Sequence, residues 1–284
     1  MIDLGAGCGA MSLGLVATVQ IPLAITAIDR DSAALAIAAT SVRDLAAKRK
    51  VAATIATRVD DATKARLADA DIVVMGTLLN ELDDTARLAM VERALAALSP
   101  DGCVIIIEPA LRETSRALHT VRDAIVARGA AHVFAPCTRH AAPCPALADP
   151  TDWCHEDRAV TLPPRTAELA RLTHLRDGGL KFSYLVLRRD PRPLADEPNA
   201  WRIVSSPRAQ KGKVEVLGCS DSGRVPLRLL RKNRTPGNRE LERTERGELM
   251  IVNTAQGAER LEVEESTTVT RRDPTADRSD PAPE

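Results

Sequence analysis

The sequence contains no run of about 18 apolar residues, the length a membrane-spanning helix requires, and its N-terminus lacks the basic-then-apolar pattern of a signal peptide. A soluble, cytoplasmic protein is therefore expected. Aromatic residues are scarce, with two Trp, one Tyr and two Phe among 284. In a chain dominated by Ala and Arg, that scarcity reflects composition rather than function. Lys plus Arg and Asp plus Glu each number 39, so the net charge is zero. This balance excludes a wholly basic nucleic-acid binder and a disordered acidic chain. Cysteine and histidine are also sparse, at six and five. In a reducing compartment such cysteines are free, catalytic or metal-bound rather than paired. No internal repeat is evident.

The chain is long enough for one large domain or a domain with an appendage. From Met1 to about Arg189, short apolar or β-branched runs alternate with Ala/Leu-rich stretches of helical period, the pattern of an α/β domain with a parallel sheet. Expected strands are Ile2–Leu4, Leu23–Ile28, Ala53–Thr57, Ile72–Met75, Val104–Ile107, Ala131–Phe134 and Phe182–Leu187. Asp31–Lys48, Thr85–Leu98 and Arg112–Arg128 read as helices. The late strand KFSYLVLRR suggests a sheet closed by an antiparallel edge strand. The Pro- and charge-rich DPRPLADEPN then reads as a linker, giving a first domain over 1–190 that includes the Cys-rich loop 135–157. A small β-rich unit follows over 200–254, and residues 255–284 read as a disordered tail. Between Trp201 and Arg234 stand nine basic residues against two acidic ones, a local charge of +7.

The N-terminal IDLGAGCGAMS combines a strand, an acid and glycines at 5, 7 and 9 ahead of a helix. Glycines let the backbone turn tightly and bring a helix N-terminus close to a ligand. The letters also fit G-x-G-x-x-A, a dinucleotide turn. Asp3 shifts the balance, because a carboxylate there can meet the ammonium of S-adenosylmethionine but would repel a pyrophosphate. Asp29, twenty residues after Gly9 at the end of the second strand, suits ribose hydroxyls in either cofactor class. Its alternative is a helix cap. Asp60 and Asp61 follow the third strand, where an adenine amino group could be read.

In that order, IDLGAGCG, AIDRDS, VDDAT and ADIVVMGTLLNEL resemble the class I S-adenosylmethionine-dependent methyltransferases over roughly residues 1–190. The resemblance implies a Rossmann-like seven-stranded sheet. It implies S-adenosylmethionine at Asp3, Gly5, Gly7, Gly9, Asp29, Asp60 and Asp61. No Asn-Pro-Pro-aromatic turn follows the fourth strand, so Asn80 and Glu81 are only candidates for catalysis. Pro136-Cys137 and Pro143-Cys144 come too late in the chain for a cytosine-5 nucleophile. Cys8 and Cys103 read as buried small hydrophobes.

Cys137, Cys144 and Cys154 are separated by six and then nine residues, with His140 and His155 beside them. This is not a C-x2-C knuckle, and packed core cysteines are the competing reading. The loop is nevertheless rich in Pro, Asp and His, which suits a metal site better than a core. Cys219, in the turn sequence VLGCSDSGR, is a candidate fourth ligand. Four thiolates hold zinc or a four-iron cluster, and a Cys3His zinc site through His140 or His155 is also open.

The stretch APCTRHAAPCPALADPTDWCHEDR, then KFSYLVLRR, then LGCSDSGR resembles the bacterial relatives of the mitochondrial small-ribosomal-subunit assembly factor with a methyltransferase-like domain, over about residues 1–235. That resemblance implies a [4Fe-4S] cluster on Cys137, Cys144, Cys154 and Cys219, with zinc as the alternative, and the small ribosomal subunit and its rRNA as partners. Relatives usually carry a helical segment before the first strand, whereas this chain starts almost on it. A missing lid would weaken cofactor binding. Three readings follow: an rRNA methyltransferase or assembly factor; a non-enzymatic ribosome-assembly module with a vestigial pocket; and a small-molecule methyltransferase with structural zinc.

Overall fold

The computed structural model describes residues 1–140, 142–174, 179–253 and 259–273. In chain order the first elements are β1 (Ile2–Leu4), α1 (Ala10–Thr18), β2 (Leu23–Asp29), α2 (Ser32–Arg49) and β3 (Ala53–Val59). Next come β4 (Ala70–Gly76), α3 (Asp84–Ala96), β5 (Leu98–Pro109), α4 (Arg112–Ala127) and β6 (His132–Ala135). β7 (Glu156–Arg158), α5 (Pro164–Leu172) and β8 (Leu180–Arg188) precede the strands β9 (Ala200–Ile203), β10 (Arg208–Gln210), β11 (Lys213–Ser220) and β12 (Gly223–Leu230). β13 (Leu249–Asn253), β14 (Leu261–Val263) and β15 (Thr268–Arg272) complete the set. The chain forms two compact units, Met1–Phe134 with Ser183–Arg192, and Ala135–Phe182 with Pro193–Glu284.

In the first unit the strand order is β3-β2-β1-β4-β5-β8-β6. β1 pairs in parallel with both β2 and β4, and β2–β3 and β4–β5 are also parallel. This is the Rossmann-like arrangement, with the order reversing at β1. The late strand expected at an edge runs instead between β5 and β6. β8 carries Leu185 and Leu187, both fully buried, so its apolar side chains favour an interior position. Val16, Leu23, Ile25, Leu35 and Val42 form a core where α1 and α2 cover the sheet. Each such side chain contributes about 1.5–3 kcal/mol on burial.

Local chemistry sets the helix ends. Asp31 caps α2 by accepting from the Ala33 and Ala34 amides, at 2.8 and 3.1 Å, and Asp83 caps α3 through the Ala86 amide at 2.8 Å. Gly9 opens α1 with φ 84°, and a Cβ there would stand 2.9 Å from the Ala38 Cβ. Glycine is thus required both by the left-handed backbone and by the closeness of α2.

The second unit holds a sheet of order β14-β12-β11-β9-β13-β15, with β10 paired to β11. Its core gathers Trp201, Ile203, Leu227, Leu229, Met250, Val252 and Val263. Composition suggested disorder from residue 255, but β14 and β15 are built into this sheet with Leu261, Val263 and Val269 buried. Alternating apolar residues in LEV and TVT supply that inward face; the polar residues around them hid it. Residues 255–258 and 274–284 of the expected tail lie outside the described residues.

Candidate functional site

In the first unit, the carboxyl ends of the parallel strands surround a cleft of about 530 Å³, within the range of small-molecule sites. It opens where the strand order reverses, the place at which open α/β sheets bind ligands. Gly5 and Gly7 line it after β1, Asp29 at the end of β2 and Asp61 after β3. The Gly7 amide donates to Asp29 Oδ2 at 2.8 Å. The second carboxylate oxygen of Asp29 accepts from the Asp31 amide at 2.9 Å. The glycine turn is thereby tied to the end of β2. The Thr63 hydroxyl and amide donate to Asp61 Oδ1, at 2.7 and 2.9 Å, and hold its carboxyl below the ordinary range.

Asp3, Gly9 and Asp60 are not among the residues that line the cleft. Asp3 is 1% exposed. Its Oδ2 accepts from the Ser12 hydroxyl and amide, at 2.6 and 3.2 Å, while its Oδ1 is buried with no hydrogen-bond partner among the described residues. Burial raises its pKa to about 6 against those hydrogen bonds, with the nearby Asp29 charge adding to the rise. Asp60 accepts from the Asp61 amide at 2.8 Å and faces Arg58 at 3.4 Å.

The β4 end of the cleft carries residues that the sequence did not single out. Thr77 lines it with φ 54°, a left-handed conformation costly for a β-branched residue. Its amide donates to Ile107 O at 2.8 Å. Glu108, 1% exposed at the end of β5, accepts from the Leu79 and Asn80 amides at 2.8 and 3.3 Å. Burial pushes the Glu108 carboxyl up, and those amides partly offset the push. Turned so that its amide nitrogen donates, the Asn80 side chain meets Thr77 O at 2.7 Å and Glu108 Oε2 at 3.1 Å. Of the two catalytic candidates, Glu81 therefore lines the cleft, whereas the Asn80 amide is engaged within the turn. A strained threonine leaves no trace in sequence, but Glu108, an acid ending the apolar run VIII, repeats the signal by which Asp3 and Asp29 were read.

All four cysteines singled out above fall within the second unit. Cys144 is buried, and Cys137, Cys154 and Cys219 are partly so. Burial, together with Cys137, Cys154 and Cys144 close by, pushes the Cys219 thiol up, with Arg139 opposing. The loop is fastened to β11 and the turn after it: Thr138 Oγ1 donates to Cys219 O at 3.0 Å, and Arg139 donates to Ser220 O and Asp221 O, each at 2.7 Å. Arg224 pairs with Asp152, and Arg202 with the buried Glu156. Arg246 donates to His155 O at 3.3 Å, and the His155 ring stacks on Trp153 with centroids 5.6 Å apart. Among the described residues, no group of three or more His, Cys, Asp or Glu is arranged to hold a metal ion. Cys8 is exposed and Cys103 partly buried, so the reading of both as buried hydrophobes fails for Cys8, which sits on the solvent side of the glycine turn.

The basic strip is largely neutralised. Besides Arg202 and Arg224, Lys213 pairs with Glu215 at 2.6 Å, Arg228 Nε donates to Glu262 at 2.9 Å, and Arg234 meets Glu242 at 2.8 Å. Four of the five acids come from outside the window in which charge was counted.

A family model described as mitochondrial small ribosomal subunit Rsm22 matches residues 1–250, spanning the cleft and all four cysteines. The chain belongs to the Rsm22 family. No curated protein matches it. Similar solved structures include magnesium protoporphyrin IX methyltransferase from Synechocystis PCC 6803 with bound S-adenosylhomocysteine, at 10% identity and TM-score 0.41, covering 66% of this chain and 73% of that one. TehB from Haemophilus influenzae is 14% identical, with TM-score 0.39 and coverage of 66% and 57%. The small RNA methyltransferase HEN1 is 14% identical, with TM-score 0.42 and coverage of 66% and 23%. For this Rsm22-family chain such likenesses concern the fold alone. Among its described residues no helix is long and apolar enough to cross a membrane.

Proposed function

We propose that the chain binds S-adenosylmethionine in the cleft of its first unit and acts on the small ribosomal subunit, as an rRNA methyltransferase, an assembly factor or both. The observation that carries this reading is the cleft at the strand-order reversal, where Gly5, Gly7, Asp29 and Asp61 converge. The glycine turn admits a ligand close to the backbone, Asp29 accepts from ribose hydroxyls, and Asp61 accepts from an adenine amino group. The unpartnered Asp3 Oδ1 suits the ammonium of the methionine moiety. Membership of a small-ribosomal-subunit family supports the partner.

The same reading includes a [4Fe-4S] cluster on Cys137, Cys144, Cys154 and Cys219. What supports it is the donor type, four soft thiols that bear on one another electrostatically, with the Cys137–Cys154 loop fastened to the strand that carries Cys219; among the described residues the side chains are not themselves arranged to hold a metal ion. Such a group supplies folding free energy and, if redox-active, one-electron chemistry. Zinc in the same pocket is the alternative.

One observation favours the non-enzymatic reading. The side chain of Asn80, one of the two catalytic candidates after β4, satisfies Thr77 O and Glu108 Oε2 when its amide nitrogen is turned toward them. Radiolabelled S-adenosylmethionine incubated with small subunits separates the two: label in rRNA supports the methyltransferase, and co-sedimentation without label supports the assembly module. Anaerobic purification with an absorption spectrum and iron, sulfide and zinc analysis tests the metal. Zinc with no brown chromophore contradicts the cluster.

A further inference from the structure

Of the nine basic residues between Trp201 and Arg234, five join ion pairs among the described residues, and the other four gather at one end of one hairpin. β10 and β11 are joined by Lys211 and Gly212, with Gln210 opposite Lys213. β12 returns to the same end, with Leu230 opposite Lys213, and continues into a 3-10 turn over Arg231–Asn233. The Arg231 amide donates to Gly212 O at 2.9 Å, which stitches the two turns together. Lys211, Arg231 and Lys232 are exposed on this tip, and Arg208 is exposed on the adjoining β10. Among the described residues none of the four joins an ion pair, in contrast to Lys213, Arg228 and Arg234 nearby.

We propose that this tip is a docking surface for the phosphate backbone of RNA. The inference rests on the ribosomal reading above and deepens it by naming where rRNA is held. The tip segments read RAQKG and RKNR. They contain no aromatic residue to stack on bases and no large apolar residue to enter a bilayer, so their contacts are to phosphate and position the RNA without reading it. Cys219 lies six residues from Lys213 along β11, about 20 Å at the rise of an extended strand. The tip and Cys219 thus stand at opposite ends of β11, and each can be altered by substitutions that leave the other in place.

The test uses the full chain and a fluorescent uridine oligonucleotide, with affinity followed by anisotropy between about 50 and 200 mM salt. Each phosphate contact contributes about 0.7 to the slope of log affinity against log salt for a single strand. The triple variant Lys211→Gln, Arg231→Gln, Lys232→Gln should lower that slope by roughly 2 and weaken low-salt binding on the order of tenfold or more. Arg228→Gln removes a charge paired within the sheet and should leave the slope unchanged. A folded triple variant, with the parent's thermal midpoint and metal content, that keeps the parent's slope overturns the tip assignment. A parent chain that binds neither this oligonucleotide nor small-subunit rRNA overturns the ribosomal reading itself. Vesicles of phosphatidylglycerol serve as the counter-probe: binding to them that the triple variant loses, without any change toward RNA, overturns RNA as the occupant.

Discussion

The amide of Gly7 donates to Asp29 Oδ2 at 2.8 Å, joining the turn after β1 to the end of β2. The bond fixes the glycine turn and leaves Asp29 with lone pairs directed at the cleft, since each carboxylate oxygen accepts more than one hydrogen bond. Asp29→Ala should weaken S-adenosylmethionine binding by roughly 10- to 100-fold, from the lost ribose contacts and the freed turn. Calorimetric titration measures this, with circular dichroism checking the fold.

Asp3 carries a pH dependence whose sign is determined by its burial. Its folded pKa of about 6 stands above the ordinary 3.8, so the fold favours the protonated form. The cost of ionising it is absent below pH 3.8, grows as pH rises to about 6, and is constant above, at up to roughly 3 kcal/mol. Asp3→Asn should therefore raise the stability of the cofactor-free protein at pH 7.5 relative to the parent, with the difference vanishing toward pH 4. Cofactor affinity should move the opposite way. In the parent it falls as pH drops through 6 and the ammonium's partner is protonated; in Asp3→Asn it is low and flat. Denaturant unfolding and titration across pH 5–8 read both.

Glu108 anchors the turn after β4 through the Leu79 and Asn80 amides. Glu108→Ala leaves those buried donors without an acceptor and should cost about 2–3 kcal/mol of stability. Glu108→Gln keeps one carbonyl acceptor and should cost less than half as much. Urea unfolding of the two variants provides the comparison.

How much of this was legible in the sequence differs between the two units. In the first, alternation of apolar runs and helical periods marked the strands, because central parallel strands are covered on both faces: β4 buries Val73, Val74 and Met75 fully, whereas the edge strand β3 is largely exposed. The same pattern could not place β8, whose position between β5 and β6 is set by long-range packing. The glycine turn, Asp29 and Asp61 were readable because tight turns and strand-end carboxylates have local chemical signatures. Thr77 was not, since its strain arises from the pairing of its amide with Ile107 on another strand. In the second unit the charge count misled, because Arg224 finds Asp152 and Arg228 finds Glu262 far along the chain. β14 and β15 were hidden for a related reason: three-residue apolar patterns carry little weight until a sheet is present to receive them.

The cysteine loop makes a prediction independent of the cleft. If Cys137, Cys144, Cys154 and Cys219 share a cluster, Cys144→Ser in anaerobically purified protein should lose most of the iron, the sulfide and the visible absorbance. It should also lower the thermal midpoint, because a structural metal group contributes folding free energy. Cys8→Ser, at an exposed thiol, should change none of these.

The most direct test of the central claim is a calorimetric titration of the anaerobically purified full chain with S-adenosylmethionine and with S-adenosylhomocysteine. Saturable one-to-one binding of both is predicted, weakening below pH 6 for both, since each carries the α-ammonium, and greatly reduced in Asp29→Ala. An absence of heat and of thermal protection with either ligand, in a protein that is folded, would contradict a cofactor site in the cleft.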